Sequence, residues 1–420
     1  MPELLDDLIE LLRIPSVSAG RPNPEGVREA AEWIRQRIER AGGDAELVGA
    51  HNPIVVGELA ANRPGAPDVI VYGHYDVQDI GPPGEWLSDP FEPEIRDGRI
   101  YARGAADDKG NSLPVLHTAC EMHAAGTLPV NVRVVMEGEE EVASTQVMAW
   151  IAADERGADA AVVFDASMAA PDLPAITTAC RGLVAIELTV RVADGDLHSG
   201  LYGGVAPNAI HALTAMLAGV VPAPGQRVRD ELRAGVAEPS PAETDSWATI
   251  PPGLDFHLRT GAGASLEVNG VIAGATEELR TIIPAVARAN LSLRTAPGQH
   301  SATLAPVLER LLRDAAPDGA DVQMTVATAE PAVFDPESPA LRLARAAFER
   351  ATGKPPALIR SGGTIPILAA FADRGIQAIV SGYGLPEDAI HAPNESYRLE
   401  SLELGRRTAE ALFEELAKLR

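Results

Sequence analysis

Four glutamates crowd into five positions, Glu137, Glu139, Glu140 and Glu141, directly after the apolar run NVRVVM at 131–136. Carboxylates packed at the mouth of a buried strand repel one another unless a cation sits among them. A solvated acidic turn is the ordinary explanation of such a run, so a metal site needs further ligands elsewhere in the chain. Two more apolar runs supply them: DVIVYG at 68–73 leads into His74 and Asp76, and AAVVF at 160–164 leads into Asp165. In open α/β sheets ligands gather beyond the carboxyl ends of the strands, so side chains that follow three such runs are expected to converge. His74 and Asp76 lie two apart on an extended segment and point the same way. That places Asp76 to receive the second N–H of a metal-bound imidazole. The block GRIYARGAADDKGN at 98–111 opens a helix with Asp107 and Asp108. An aspartate there either caps the helix or bridges two metal ions.

The elements that must hold these residues follow from periodicity. Residues 25–41 put Val27, Ala31, Ile34 and Ile38 on one helical face, stopped by Gly42 and Gly43. The runs 68–72, 131–136 and 160–164 are short and wholly apolar, as in strands covered on both sides. Helical stretches near 109–125 and 141–156 alternate with them, which predicts an α/β unit. The middle of the chain differs. Residues 183–192, 289–297 and 321–328 alternate like half-exposed strands and 208–219 and 303–316 read as helices, with a Pro- and Gly-rich segment at 220–265 expected to be loop with short helices. After residue 331 the first texture returns, with helices at 338–352 and 400–418 and a strand at 377–382. The expected organisation is a discontinuous α/β domain, 1–179 and 331–420, interrupted by a smaller α+β domain at 180–330.

Composition limits the alternatives. With 420 residues, 46% hydrophobic and 23% charged, the chain is a folded protein long enough for two cores. A net charge of -25 repels nucleic acid and anionic lipid, and no run is long and apolar enough to span a bilayer. Cys120 and Cys180 form no CxxC pair, so neither a disulfide framework nor a thiolate zinc site is expected. The first residues, MPELLDDLIELLRIPSVSAG, lack the pattern of a signal peptide, and a cytoplasmic location is expected.

Seven segments carry a resemblance. GHYDVQ (73–78), YARGAADDKG (101–110), MEGEEEVAS (136–144), DLHSGLYGG (196–204), LRTAPGQ (293–299), SGGTIP (361–366) and IHAPNE (390–395) resemble, in order, motifs of the carnosinase and cytosolic non-specific dipeptidase branch of the di-zinc peptidase and aminoacylase family. The resemblance spans nearly the whole chain. It implies a zinc-peptidase-like catalytic domain with a mixed central sheet flanked by helices, and an inserted lid and dimerisation domain that hinges near residues 180 and 330.

Carried over residue by residue, the resemblance implies two divalent metal ions per subunit. His74 and Asp165 would hold one, Glu141 and His391 the other, and Asp107 would bridge them, followed by a cis peptide to Asp108. His, Asp and Glu without Cys suit zinc and leave manganese and cobalt open. Glu140 resembles the general base that takes a proton from a metal-activated water. His198 resembles a histidine that stabilises the oxyanion, reaching across from a partner subunit in dimeric relatives. Arg294 resembles the arginine that holds the substrate's carboxylate, where a planar fork suits a planar anion. Ser361, Gly362, Gly363 and Thr364 open a helix whose N–H groups suit an anion, with Arg360 beside them as a structural residue. Glu137 is expected behind the ligands and Glu139 as an exposed neighbour. His51, His117, His123, His211, His257 and His300 match no motif and are expected to serve packing or surface roles.

The activity this implies is a metal-dependent dipeptidase acting on short unblocked peptides, as a homodimer joined through the insert, with no nucleic-acid or membrane partner. An N-acyl or N-succinyl amino acid amidohydrolase would use the same metal site. A non-catalytic metal- or peptide-binding protein would not need both Glu140 and His198.

Overall fold

The computed structural model describes residues 2–274 and 280–419. The three apolar runs form neighbouring strands of one large sheet: Asp68–His74 pairs in parallel with Asn131–Glu137 on one side and with Ala160–Phe164 on the other. Their side chains are buried on both faces, which is why they read as unbroken β-branched and apolar runs rather than alternating ones. Because they run in parallel, their carboxyl ends lie at one end of the sheet, and His74 stands in register with Glu137.

The sheet is nine-stranded and mixed. Outside the parallel trio lie the hairpin Asp44–Val48 and Ile54–Leu59 on one side and Ala378–Ser381, Ala175–Cys180 and Ala332–Val333 on the other, with Ala357–Ser361 parallel to Ala175–Cys180. Helices Pro24–Arg40, Lys109–Ala124, Pro339–Thr352 and Leu399–Leu416 pack on it. They contribute Ile34, Leu116, Phe348 and Leu412, each fully buried, to one continuous core with the strands. The helix expected at 141–156 is shorter. A 3₁₀ turn at Glu140–Val142 is followed by Ala143 and Ser144 at positive φ, and the α-helix spans Thr145–Ala153.

A second, antiparallel sheet orders Ser265–Ala273, Val286–Thr295, Gly182–Arg191 and Asp321–Ala329. Along Gly182–Arg191 the residues Val184, Ile186, Leu188 and Val190 face inward under helices Ala209–Val220 and Ser301–Asp314, and these side chains form a core of their own. The segment 220–265 does hold short helices, Pro241–Thr249 and Leu254–Thr260. Ser240 and Glu243 close the first of them with reciprocal caps.

Glu243 has a second task. It meets Arg360 at 2.8 Å, both side chains 3% exposed, while Arg360 also donates to the carbonyls of Ala237 and Glu238, so this pair pins the 237–249 segment to the strand Ala357–Ser361. Burial raises the Glu243 pKa, but Arg360, the Thr178 hydroxyl and the Ser240 amide outweigh it and hold the carboxyl below its ordinary value. The carboxylate therefore contributes stability at neutral pH that is lost as pH falls through the lowered folded value. Glu243→Gln is expected to cost roughly 1–2 kcal/mol at pH 7 by removing the counter-charge of buried Arg360. In urea titrations the gap from the parent should begin to narrow at about pH 4.3, where an unfolded glutamate protonates.

Among the described residues, no helix is long and apolar enough to cross a membrane.

Candidate metal centre

At the carboxyl end of the parallel strands, two groups of potential ligands share one residue. His74, Asp107 and Asp165 form the first and Asp107, Glu141 and His391 the second, with donor atoms in each group within 4.8 Å of one another. Asp107 turns one oxygen to each side: Oδ1 lies 3.1 Å from His74 Nε2, and Oδ2 lies 2.9 Å from His391 Nε2. His391 Nε2 is also 3.2 Å from Glu141 Oε2. The Asp107–Asp108 peptide is cis.

His74 and Glu141 are held from behind. The His74 ring has its Nδ1 3.1 Å from the Asp76 carbonyl oxygen and 3.5 Å from Asp76 Oδ1, so the nearer acceptor is the main-chain oxygen rather than the carboxylate. The Asp76 carboxylate instead accepts the amides of Glu140 and Glu141, both at 3.2 Å, and the Ser18 hydroxyl at 2.6 Å. It thereby folds the glutamate turn over the site, and that capture also accounts for the late start of the following helix. Gln78 donates to Glu141 Oε2 at 2.8 Å. Glu137 is fully buried and accepts the Tyr72 hydroxyl; burial above all pushes its pKa up to about 8. Glu139 is not the exposed neighbour expected. It is half-buried and accepts the backbone and side-chain N–H groups of Gln146 at the start of the next helix.

The electrostatics favour positive charge here. Burial opposes protonation of His74, yet the carboxylates of Asp107, Asp76, Asp108 and Glu140 outweigh it and raise its pKa well above the ordinary value. Hydrogen bonds to Asp107 and Glu141 raise His391 to about 10. Burial raises Asp107, but the two imidazoles outweigh it and draw the carboxyl down. Asp165, by contrast, is raised, by burial and then by Asp108. Three buried carboxylate oxygens, Asp108 Oδ1, Glu137 Oε2 and Glu141 Oε1, have no hydrogen-bond partner. Unpaired buried carboxylate oxygens in so acidic a cluster mark a place where cations satisfy groups that the protein alone does not. The all-nitrogen-and-oxygen donor set fits zinc, manganese or cobalt.

Glu140 belongs to neither group of ligands. It lines a cleft of about 850 Å³ together with Glu141, Arg294 and Thr364. Burial, then repulsion from Glu141, Asp107 and Asp76, pushes its pKa up to about 7, with His74 pulling the other way. Arg294 donates to the Thr364 hydroxyl at 3.0 Å, and that hydroxyl donates to the Arg181 carbonyl. Of the 361–364 loop, Thr364 alone is among the cleft's lining residues. Ser361 accepts the Gly363 amide, Gly362 accepts from Arg181, and the helix begins at Pro366 rather than at Ser361. His198 sits apart at the end of the short strand Leu197–His198, exposed, its Nδ1 accepting the Gly200 amide. None of its described contacts within this chain reaches the ligand groups.

One buried residue of the site was given no role on sequence grounds. Glu395, 1% exposed, accepts the amides of Gly104, Ala106 and Asp107 and an N–H of Arg103. The sequence carries no mark of this, because three of its four partners are main-chain groups whose identity does not depend on residue type.

This constellation can be set beside known proteins. Residues 70–415 match the model of peptidase family M20/M25/M40. The chain belongs to that family. It is 28% identical over 422 residues to a cysteinylglycine-S-conjugate dipeptidase of Corynebacterium striatum, covering 94% of this chain and 91% of the relative. A metallo-carboxypeptidase of the M20 family from Sulfolobus solfataricus superposes with a TM-score of 0.88 at 26% identity, covering 99% of this chain and 100% of that one. Human carnosine dipeptidase 1 superposes at 0.82 with 25% identity, covering 100% of this chain and 96% of that one. M20 membership accounts for the mixed sheet with a second, smaller sheet inserted between its strands.

Proposed function

We propose that this protein is a metal-dependent dipeptidase that hydrolyses short peptides with a free amino end. The observation that carries the reading is the pairing, at one strand-end site, of two ligand groups sharing Asp107 with an unpaired glutamate, Glu140, in a cleft that also holds Arg294. The dipeptidases among its relatives favour the same reading.

His74 and Asp165 would hold one divalent ion, Glu141 and His391 a second, with Asp107 between them, and zinc is the metal proposed. Bound there, the ions supply Lewis acidity that polarises a carbonyl and acidifies water. Glu140 takes a proton from the attacking water and delivers it to the leaving nitrogen, so that one water is consumed and a free acid and a free amine are released. Asp76 holds the Glu140 turn in place through its two amide bonds. Arg294, with Thr364 beside it, receives the substrate's carboxylate. Arg294→Lys keeps the charge but loses the planar fork, and is expected to raise KM about tenfold with a smaller change in kcat. Steady-state kinetics on one dipeptide checks this.

The segment 180–330 is proposed as a lid that closes by hinging near residues 180 and 330, and as the dimer interface; residues 275–279 within it lie outside the described residues. In this segment Leu201, Val205 and Ile272 are 76%, 89% and 77% exposed, and Ile272 lies on Ser265–Ala273, the edge strand of the antiparallel sheet. An uncovered edge flanked by apolar side chains suits pairing with a second copy. A partner's lid would then bring its His198 to the oxyanion. Sedimentation is expected to show a dimer, and Ile272→Glu to weaken it and activity together; a monomer fully active at every concentration would remove the role of His198 across the interface. A cytoplasmic location is proposed on the same footing.

The test of the activity is a panel of free dipeptides beside N-acetyl and N-succinyl amino acids, offered to zinc- or manganese-loaded protein and to chelated protein. Metal-dependent cleavage of the free dipeptides supports the reading. Cleavage of the acylated compounds alone would move the enzyme to the deacylases of the same family.

A further inference from the structure

The cleft beside Glu140 has more room than a peptide of two small residues needs. Its volume of about 850 Å³ lies high in the range of roughly 300–1,000 Å³ that holds drug-sized ligands. Small apolar residues leave that room. Met148 and Ala152 stand one turn apart on the helix Thr145–Ala153, Ala369 and Ala370 face the cleft from the helix Pro366–Asp373, and Leu183 and Ala327 come from the antiparallel sheet. Pro366, Ala369, Ala370 and Asp373 recur at the spacing of one helical face. That face runs from beside Thr364 to Asp373 and Arg374 at the far end, about 12 Å for eight residues. The carboxylate-binding end and the apolar space thus belong to one cleft.

We propose that this space is a subsite for a bulky apolar side chain, such as that of leucine or phenylalanine, on the carboxyl-terminal residue of the substrate. The proposal rests on the dipeptidase reading and on Arg294 holding the terminal carboxylate. With that carboxylate fixed beside Thr364, the side chain of the same residue lies along the alanine face of Pro366–Asp373. A glycine there leaves the apolar wall facing water, whereas leucine or phenylalanine covers it.

The test uses zinc- or manganese-loaded full-length protein with Gly-Gly, Gly-Leu, Gly-Phe, Leu-Gly and Phe-Gly. Gly-Leu and Gly-Phe are expected to exceed Gly-Gly in kcat/KM by roughly 10- to 100-fold, with Leu-Gly and Phe-Gly close to Gly-Gly. Ala370→Trp occupies the apolar space and is expected to erase the advantage of Gly-Leu and Gly-Phe over Gly-Gly, read as a ratio within the variant. Ala152→Trp does the same from the other helix, at an exposed position where bulk does not threaten the fold. Equal rates across the Gly-X series, an advantage confined to the X-Gly peptides, or an advantage that survives both tryptophans would each overturn the subsite while Gly-Gly turnover kept the dipeptidase reading intact. No metal-dependent cleavage of any dipeptide would sink that reading and the subsite with it.

Discussion

Glu140→Gln is expected to lower kcat for dipeptide hydrolysis by roughly 10²- to 10⁴-fold and to leave bound metal unchanged. The amide matches the carboxylate in size but cannot take up a proton, so the variant removes one capacity and little else. The turn stays anchored, because Asp76 holds Glu140 through its backbone amide rather than its side chain. Glu140 belongs to neither ligand group, so metal content measured by elemental analysis should match the parent's. The neighbouring Glu141→Gln is the informative contrast: Glu141 is a member of the second ligand group, and its loss should appear first as lost metal. A Glu140→Gln protein that retains its metal and turns over dipeptides at the parent's rate would rule out Glu140 as the base.

The gathering of His74, Glu141 and Asp165 was legible in the sequence for a physical reason. Strands buried on both faces must be apolar throughout, so the first polar side chains after them stand out, and the parallel pairing of Asp68–His74 with both neighbours carries those side chains to one end of the sheet. The two inward-facing periodicities of the middle segment were legible in the same way. Less visible were features made by the main chain. The hairpin Asp44–Leu59 offers no unbroken apolar run, since Glu46 and Glu58 interrupt its strands. The division of Glu140–Ala153 into a 3₁₀ turn and a helix depends on two amides captured by Asp76, more than sixty residues away. Spacing placed the Asp76 carboxylate beside the His74 imidazole, where it lies 3.5 Å away, but did not reveal that the same carboxylate also captures the amides of Glu140 and Glu141. His198 is a further case: the motif names the residue, while its described hydrogen bond is to the Gly200 amide.

Glu395 is where such a hidden acceptor should have its largest effect. Its Oε1 accepts the amides of Ala106 and Asp107 at 2.8 and 3.0 Å, and its Oε2 accepts the Gly104 amide at 2.9 Å and Arg103 at 2.7 Å. One carboxylate thus shapes the loop that presents Asp107, the residue shared by both ligand groups, and it stands four residues after His391. In Glu395→Gln the new NH₂ group must face two groups that are themselves donors, and buried Arg103 loses its counter-charge. Either orientation of the amide disturbs the 103–107 segment that presents Asp107. Metal affinity, measured by titration against a competing chelator, is therefore expected to fall roughly 10- to 100-fold, with kcat at saturating metal changed far less. Some loss of thermal stability is expected as well, so affinity should be measured well below the unfolding transition, where a purely structural role for Glu395 would leave it untouched. Parent-like affinity in a folded, less stable variant would confine Glu395 to holding the fold. Weakened affinity with near-normal turnover once metal is restored would show that a carboxylate touching neither ion sets the geometry of both.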